Sequence, residues 1–185
     1  MSASQPATAA LPAAEHPPAA AALAQTSIAL ADEAATERLA QTLAAQGQAL
    51  AQASIHLYGA LGAGKTSWVR HLLRALGVRG RIKSPTYALL ESYALDQPPG
   101  QVHHFDLYRL ETPQEWLDSG LLETVQGPGL KLIEWPQKAG AGLALPDLAL
   151  HWQFVPQQPQ QRQLALLAYS PAGQTLAKNM LQCAL

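Results

Sequence analysis

The chain has 185 residues, a formal net charge of −1 and 48% hydrophobic residues, which supports one domain with a real core but no separate substrate domain of ordinary size. So small a charge gives no global attraction to nucleic acid, so any RNA contact has to come from a local patch or through a partner. The single cysteine, Cys183, excludes an internal disulfide and a cysteine-based zinc cluster and fits a reducing cytoplasm.

Residues 1–25 are rich in alanine and proline, with Pro6, Pro12, Pro17 and Pro18 interrupting any helix the alanines would form. They read as a disordered tail, which leaves 26–185 as the folded domain. No basic residue precedes Arg38, so neither a secretory signal nor a mitochondrial transit peptide is expected. No apolar run approaches the length of a membrane span. A strand is expected at 27–30, a helix over 33–45 and a second strand at 54–58.

The second strand runs into Gly59-Ala60-Leu61-Gly62-Ala63-Gly64-Lys65-Thr66, which completes the pattern G-x-x-x-x-G-K-[ST]. An apolar stripe of Val69, Leu72, Leu73 and Leu76 follows at helical spacing. Strand, glycine loop and helix together form the context this pattern needs to be a phosphate-binding loop. The glycines let successive N–H groups and the helix N-terminus converge on phosphate oxygens. Lys65 then reaches the β- and γ-phosphates of a nucleoside triphosphate, and the Thr66 hydroxyl is a magnesium ligand.

Further strand-like runs come at 87–94, 101–106, 130–134, 148–154 and 163–169, with a long hairpin loop expected over the Pro/Gln-rich 156–163. Thr112-Pro113-Gln114-Glu115 has the form of a capping box with proline at the first helical position, predicting a short helix to Gly120. A last helix is expected over 175–181. Strands outnumber helices.

Three segments bear on the chemistry. Ser84-Pro85-Thr86-Tyr87 lies where a loop returning from the helix presents Thr86 to a γ-phosphate or its magnesium. His104-Phe105-Asp106-Leu107-Tyr108-Arg109 and Leu130-Lys131-Leu132-Ile133-Glu134-Trp135 place Asp106 and Glu134 at strand ends, the side on which α/β sheets bind ligands. Both carboxylates are therefore placed to hold Mg²⁺ directly or through water. Taken alone, each is as well explained as a helix cap or a surface charge.

The ordered set GALGAGKTS, KSPTY, HFDLYR and LIEWP closely resembles the TsaE family (formerly YjeE), over about residues 35–168. The resemblance implies a single α/β P-loop NTPase domain with a mixed, partly antiparallel sheet flanked by helices. It implies an ATPase of the bacterial machinery that forms N6-threonylcarbamoyladenosine in tRNAs reading codons that begin with adenine. By similarity Thr66 and Glu134 are the Mg²⁺ ligands, and Gly59, Ala60, Leu61, Gly62, Ala63, Gly64, Lys65, Thr66 and Ser67 hold the phosphates. Thr86 is the switch threonine, and Asp106 and Trp135 belong to the site. Implied partners are the TsaD and TsaB proteins, with tRNA reached through their complex. Two departures are Ala60, where the family usually carries an acidic residue, and Ser67, where threonine is common.

Other residues read in more than one way. Arg70 and Arg74, four apart, read best as a solvated helix face, and Arg81 and Lys83 as functional beside the switch loop. His103 and His104 point to opposite faces of one strand and cannot share a metal, whereas His104 shares a face with Asp106 and orients or supports the site. Trp68 and Trp116 read as packing residues. Arg109 serves equally as an arginine acting in cis on the γ-phosphate or as one arm of a structural salt bridge. The competing class, a small-molecule P-loop kinase, needs an arginine-rich lid and an acceptor cavity. After Arg109 the only arginine is Arg162.

Overall fold

In a computed structural model, residues 17–182 are described. The first strand, β1, runs Ala24–Leu30, and the helix α1 spans Glu33–Ala44. Its N-cap is Asp32, whose carboxylate accepts the Ala35 N–H at 2.8 Å, satisfying a donor that the helix itself cannot. A single turn, α2 (Gly47–Leu50), leads into β2 (Ser54–Gly59). The helix α3 (Lys65–Ala75) follows the glycine loop. Two strands, β3 (Leu90–Ala94) and β4 (Gln101–Asp106), precede the short helices α4 (Pro113–Asp118) and α5 (Leu122–Gln126). After β5 (Leu130–Glu134) come a 3₁₀ segment at Pro136–Gly142, β6 (Leu148–Val155), β7 (Gln158–Ala168) and α6 (Pro171–Gln182).

The seven strands form one sheet in the order β1-β7-β6-β2-β5-β4-β3. Its centre is parallel: β2 pairs with β5 and β6, and β4 with β5. Both margins are antiparallel, β3 on β4 at one edge and β6, β7 and β1 at the other. This is the mixed α/β sheet that the strand excess and the resemblance imply. The helices α1, α3 and α6 cover one face, burying Leu39, Leu43, Val69, Leu72, Leu73, Leu176 and Met180 against Ile55, Leu57, Leu132, Leu150 and Leu164. On the other face α4 and the 3₁₀ segment enclose a smaller cluster around Phe105, Ile133, Trp116 and Ala139. Trp68 and Trp116 are both fully buried, as expected of packing residues. Among the described residues no helix is long and apolar enough to cross a membrane.

Several boundaries differ from expectation. The part of the proposed tail at 17–25 lies against the domain: Ala24 already pairs with Ala168, and the Tyr169 hydroxyl donates to the Pro17 carbonyl at 3.1 Å. Residues 1–16 and Cys183 lie outside the described residues. The 156–163 segment is not a long loop. A two-residue turn at Pro156 and Gln157 closes the hairpin with Gln158 opposite Val155, Pro159, Gln160 and Gln161 fall at a register shift, and regular pairing on β6 resumes with Arg162 opposite Phe154. The expected strand at 87–94 begins only at Leu90, since residues 86–88 turn and Leu89 takes a φ of 62°. The capped helix forms as predicted, with Thr112 accepting the Glu115 N–H at 3.4 Å. The Glu115 carboxylate reaches back to the N–H of Glu111 rather than that of Thr112.

His56, on the central strand, is 3% exposed, and burial lowers its pKa to about 3 from the ordinary 6.5. A histidine that stays neutral when folded but protonates when unfolded stabilises the fold fully above pH 6.5 and progressively less as pH falls towards 3. Acidification from pH 7 to pH 5 is expected to remove roughly 2 kcal/mol through this group. Denaturant titrations at the two pH values check it: His56→Phe should shrink the pH difference, and an undiminished difference would assign the acid sensitivity elsewhere.

Candidate nucleotide site

The glycine loop joins the C-terminal end of β2 to the N-terminus of α3 at the middle of the sheet. Gly59 sits at φ 136°, and a Cβ there would stand 2.6 Å from the Trp152 carbonyl oxygen. Gly64, at φ 115°, is the N-cap of α3 and has Trp152 Cδ1 3.6 Å from where its Cβ would be. Only glycine takes these conformations at low cost with a neighbouring strand so close. The loop therefore lies directly on β6, and its free side forms a cleft of about 240 Å³ lined by Leu61, Gly62, Ala63, Gly64, Lys65, Thr66, Ser67, Thr86, Asp106, Tyr108, Glu134 and Trp135. Of the loop residues assigned to phosphate binding, Gly59 and Ala60 stand outside this lining and meet Lys65 through their carbonyls instead.

Among the described residues, Lys65 is the only cation in the lining. Its ammonium donates to the Gly59 and Ala60 carbonyls at 2.7 and 3.1 Å and lies 4.0 Å from the centre of the Trp135 ring. Burial lowers its pKa, while the negative charges of Glu134 and Asp106 oppose that shift. An ammonium held by two neutral carbonyls and an aromatic face keeps its charge available to an anion entering the cleft.

The carboxylates arrive by strand register. Leu57 of β2 aligns with Glu134 of β5, and Glu134 with Asp106 of β4. Both are buried, at 1% and 3% exposure, yet their surroundings differ. Glu134 Oε2 accepts from the Thr66 hydroxyl at 2.8 Å, and Oε1 pairs with His104 Nε2 at 2.9 Å. Asp106 Oδ2 accepts from the Thr86 hydroxyl at 2.5 Å and from Ser84 at 3.4 Å, while Oδ1 accepts the Tyr108 N–H at 3.1 Å. Glu134 thus belongs to the loop, and Asp106 to the 84–87 segment. No group of three or more His, Cys, Asp or Glu among the described residues is placed to hold a metal. A hydroxyl and a carboxylate in contact match what Mg²⁺ takes from a protein when phosphates and waters complete its shell.

Trp135, directly after Glu134, adopts φ 58° and ψ 43°. This left-handed conformation is uncommon for an aromatic residue. It turns the ring onto Lys65 and against Tyr108, whose centroid lies 5.1 Å away. Trp135 also walls a larger cavity of about 600 Å³, with His56, Tyr58 and Gln137, on the side of the sheet away from α3. That cavity holds neither the loop nor the carboxylates.

The structure therefore gathers Lys65, Thr66, Ser67, Thr86, Asp106, Glu134 and Trp135 around one cleft. His104 does support the site, through Glu134, and His103 points away to Ser92 at 2.8 Å. The Arg109 guanidinium stacks on Tyr87 at 3.9 Å, outside the lining of the cleft. Arg70, Arg74, Arg81 and Lys83 are all exposed. Sequence reading missed Tyr108, although it lies inside the quoted HFDLYR, and it missed Trp152 and Arg162, whose roles arise from a distant strand.

A seven-stranded α/β sheet with a glycine loop and a buried carboxylate at its parallel centre defines a single domain of the P-loop type. The family model described as threonylcarbamoyl adenosine biosynthesis protein TsaE matches residues 30–164. The chain belongs to the TsaE family. It is 34% identical to the tRNA threonylcarbamoyladenosine biosynthesis protein TsaE of Haemophilus influenzae over 122 residues, covering 66% of this chain and 74% of that one. The Nostoc protein of the same name is 40% identical over 118 residues, covering 61% and 69%. The crystal structure of Bacillus subtilus YdiB shares the fold, with a TM-score of 0.66 at 22% identity, covering 86% of this chain and 95% of that one.

A magnesium triphosphate is the charge-matched probe for this cleft. Lys65→Ala and Thr66→Ala are each expected to weaken its binding or turnover, since one fixed charge or donor in a preorganised site is worth about 2.7 to 4 kcal/mol in a transition state. Calorimetry finding wild-type affinity and turnover in both variants would remove the loop from the binding site.

Proposed function

We propose that this chain is a Mg²⁺-dependent ATPase of the cytoplasmic machinery that forms N6-threonylcarbamoyladenosine in tRNAs reading codons that begin with adenine. Membership of the TsaE family supports the pathway. The observation that carries the chemistry is the Thr66–Glu134 contact at 2.8 Å, which sets a hydroxyl and a buried carboxylate at the mouth of the glycine loop.

In this reading the loop N–H groups and Lys65 bind the triphosphate of ATP, and Thr66 with Glu134 holds Mg²⁺. The cation, when bound, neutralises charge developing on the β- and γ-phosphate oxygens. His104 fixes the Glu134 carboxylate by occupying one of its oxygens. Asp106 holds Thr86, so the 84–87 segment is tethered close enough to order around a γ-phosphate. Among the described residues no arginine lines the cleft, so in this reading the charge-stabilising group that many P-loop enzymes use comes from elsewhere, and hydrolysis by the isolated chain is slow. We assign that supply, or the ordering of the switch segment, to the TsaD and TsaB proteins, through which the chain also meets tRNA. The exposed rim of Leu61, Tyr87 and Tyr108, at 68%, 84% and 39% exposure, supports such a partner, because apolar groups clustered at a catalytic cleft mark interaction surfaces. ATP hydrolysis then resets the TsaD–TsaB complex between rounds of modification.

Adding the TsaD–TsaB complex is expected to accelerate ATP hydrolysis by up to about 10³ to 10⁵, the range that switch ordering or an arginine in trans provides. Trp135→Ala should weaken this stimulation more than it weakens ATP binding. A reconstituted system whose modification yield over many turnovers is the same without this chain would refute the role.

The two carboxylates separate in their effects. Glu134→Ala should abolish Mg²⁺-dependent turnover while ATP binding partly persists, because the carboxylate acts on the cation and not on the base or sugar. Asp106→Ala should lower turnover by freeing Thr86. Steady-state kinetics with direct binding measurements separate the two, and unchanged turnover in the Glu134 variant would mean that another residue holds the metal.

A further inference from the structure

In the nucleotide reading above, Thr66 and Glu134 would hold the Mg²⁺ that serves the β- and γ-phosphates, which would set the γ-phosphate end towards Glu134 and Asp106, on the β5 and β4 side of the loop. The nucleoside end then leaves on the other side of β2, where β6 and β7 stand. Gly59 is in register with Trp152 on β6, and β6 continues beyond that level. Phe154, two residues on and on the same strand face as Trp152, stands roughly 6 to 7 Å farther along, past the flank of the loop.

Phe154 is 49% exposed, and it is not free to wander. Its cross-strand partner is Arg162, whose guanidinium lies 4.6 Å from the centre of the phenyl ring. The same guanidinium donates from Nε to the Ala63 carbonyl inside the glycine loop at 2.9 Å, and from Nη1 to the carbonyls of Pro159 and Gln161 at 2.6 and 2.7 Å. Arg162 thus ties the hairpin to the phosphate loop and holds an exposed aromatic face beside it. A fixed aromatic ring at the nucleoside end of a phosphate site is a stacking surface for a planar base.

Resting on the nucleotide reading above, we propose that Phe154 is the base-stacking residue of this site, with Arg162 positioning the β6–β7 hairpin that carries it. Stacking uses the π-face that every base has, so the contact adds affinity for nucleoside triphosphates without choosing between adenine and guanine. The larger cavity behind Trp135 is a poorer seat for the base. It lies across the sheet from α3, at whose N-terminus the phosphates are anchored.

Calorimetry on the full chain with Mg²⁺ and, separately, ATP, GTP and inorganic tripolyphosphate tests this. Wild type is expected to bind both nucleotides more tightly than tripolyphosphate. Phe154→Ala should weaken ATP and GTP alike by about 5- to 150-fold, the loss of one stacked base, leave tripolyphosphate unchanged, and be rescued by Phe154→Trp. Unchanged ATP binding in Phe154→Ala, or an equal loss for tripolyphosphate, would overturn the inference while leaving the phosphate site standing. A wild-type chain that binds none of the three would overturn the nucleotide reading and this inference with it.

Discussion

The hydrogen bond from Thr66 to Glu134 is the contact on which the arrangement depends, because it joins the first turn of α3 to the end of β5. A buried carboxylate is costly unless both oxygens are satisfied. Glu134 meets that condition through Thr66 on one oxygen and His104 on the other. The parallel register of β2, β5 and β4 makes the geometry possible, since it delivers Leu57, Glu134 and Asp106 to one level of the sheet. Slipping β5 by one residue would turn Glu134 to the opposite face and bring Ile133 to the cleft.

Asp106 occupies the equivalent position one strand farther out and does different work. Its oxygens are engaged by Ser84, Thr86 and the Tyr108 N–H, so it acts as an anchor for the segment between α3 and β3. That segment presents Tyr87 to solvent with Arg109 stacked on it. An exposed aromatic backed by a cation is thus tied through hydrogen bonds to a carboxylate that lines the cleft. The two acidic residues, similar as sequence signals, thereby differ in their partners: Glu134 joins Thr66 of α3 and His104, and Asp106 joins the 84–87 segment.

Much of this was legible in the chain because local chemistry and global fold agree there. The glycine loop, the apolar stripe of α3, the Asp106 and Glu134 strand ends and the Thr112 cap each carry a local physical reason that the structure keeps. What was not legible is of two kinds. The left-handed residues Leu89, Trp135 and Gln157 are not glycine, so nothing in their identity announces the turns they make; the first two are held by backbone bonds to Pro85, Asp106 and Leu57, and the third lies in the hairpin turn. The Pro/Gln-rich stretch has poor strand propensity, yet β7 runs through it because Gln158 pairs with Val155 of β6 and from Arg162 onward β6 and β1 offer backbone partners on both sides. Tertiary pairing overrides propensity in such positions. Arg162 was hidden for the same reason, since its partner Ala63 lies ninety-nine residues away in sequence.

The sheet's mixed direction accounts for the remaining division of labour. A parallel centre brings the ends of β2, β4 and β5 to one edge, which concentrates Lys65, Asp106 and Glu134 around one cleft. An antiparallel pair does the reverse: β6 and β7 turn back at the loop itself, so their hairpin can overhang it and reach its backbone. Trp152 packs beneath Gly59 and Gly64, against Trp68 of α3 at 5.6 Å between ring centres. Arg162 meanwhile grips the Ala63 carbonyl from the hairpin. The glycine loop is thus held from below by apolar packing and from one flank by the Arg162 guanidinium, and left open on the flank that carries the acids. On that open flank Thr86 is held by Asp106, and Trp135 packs on Lys65 and Tyr108.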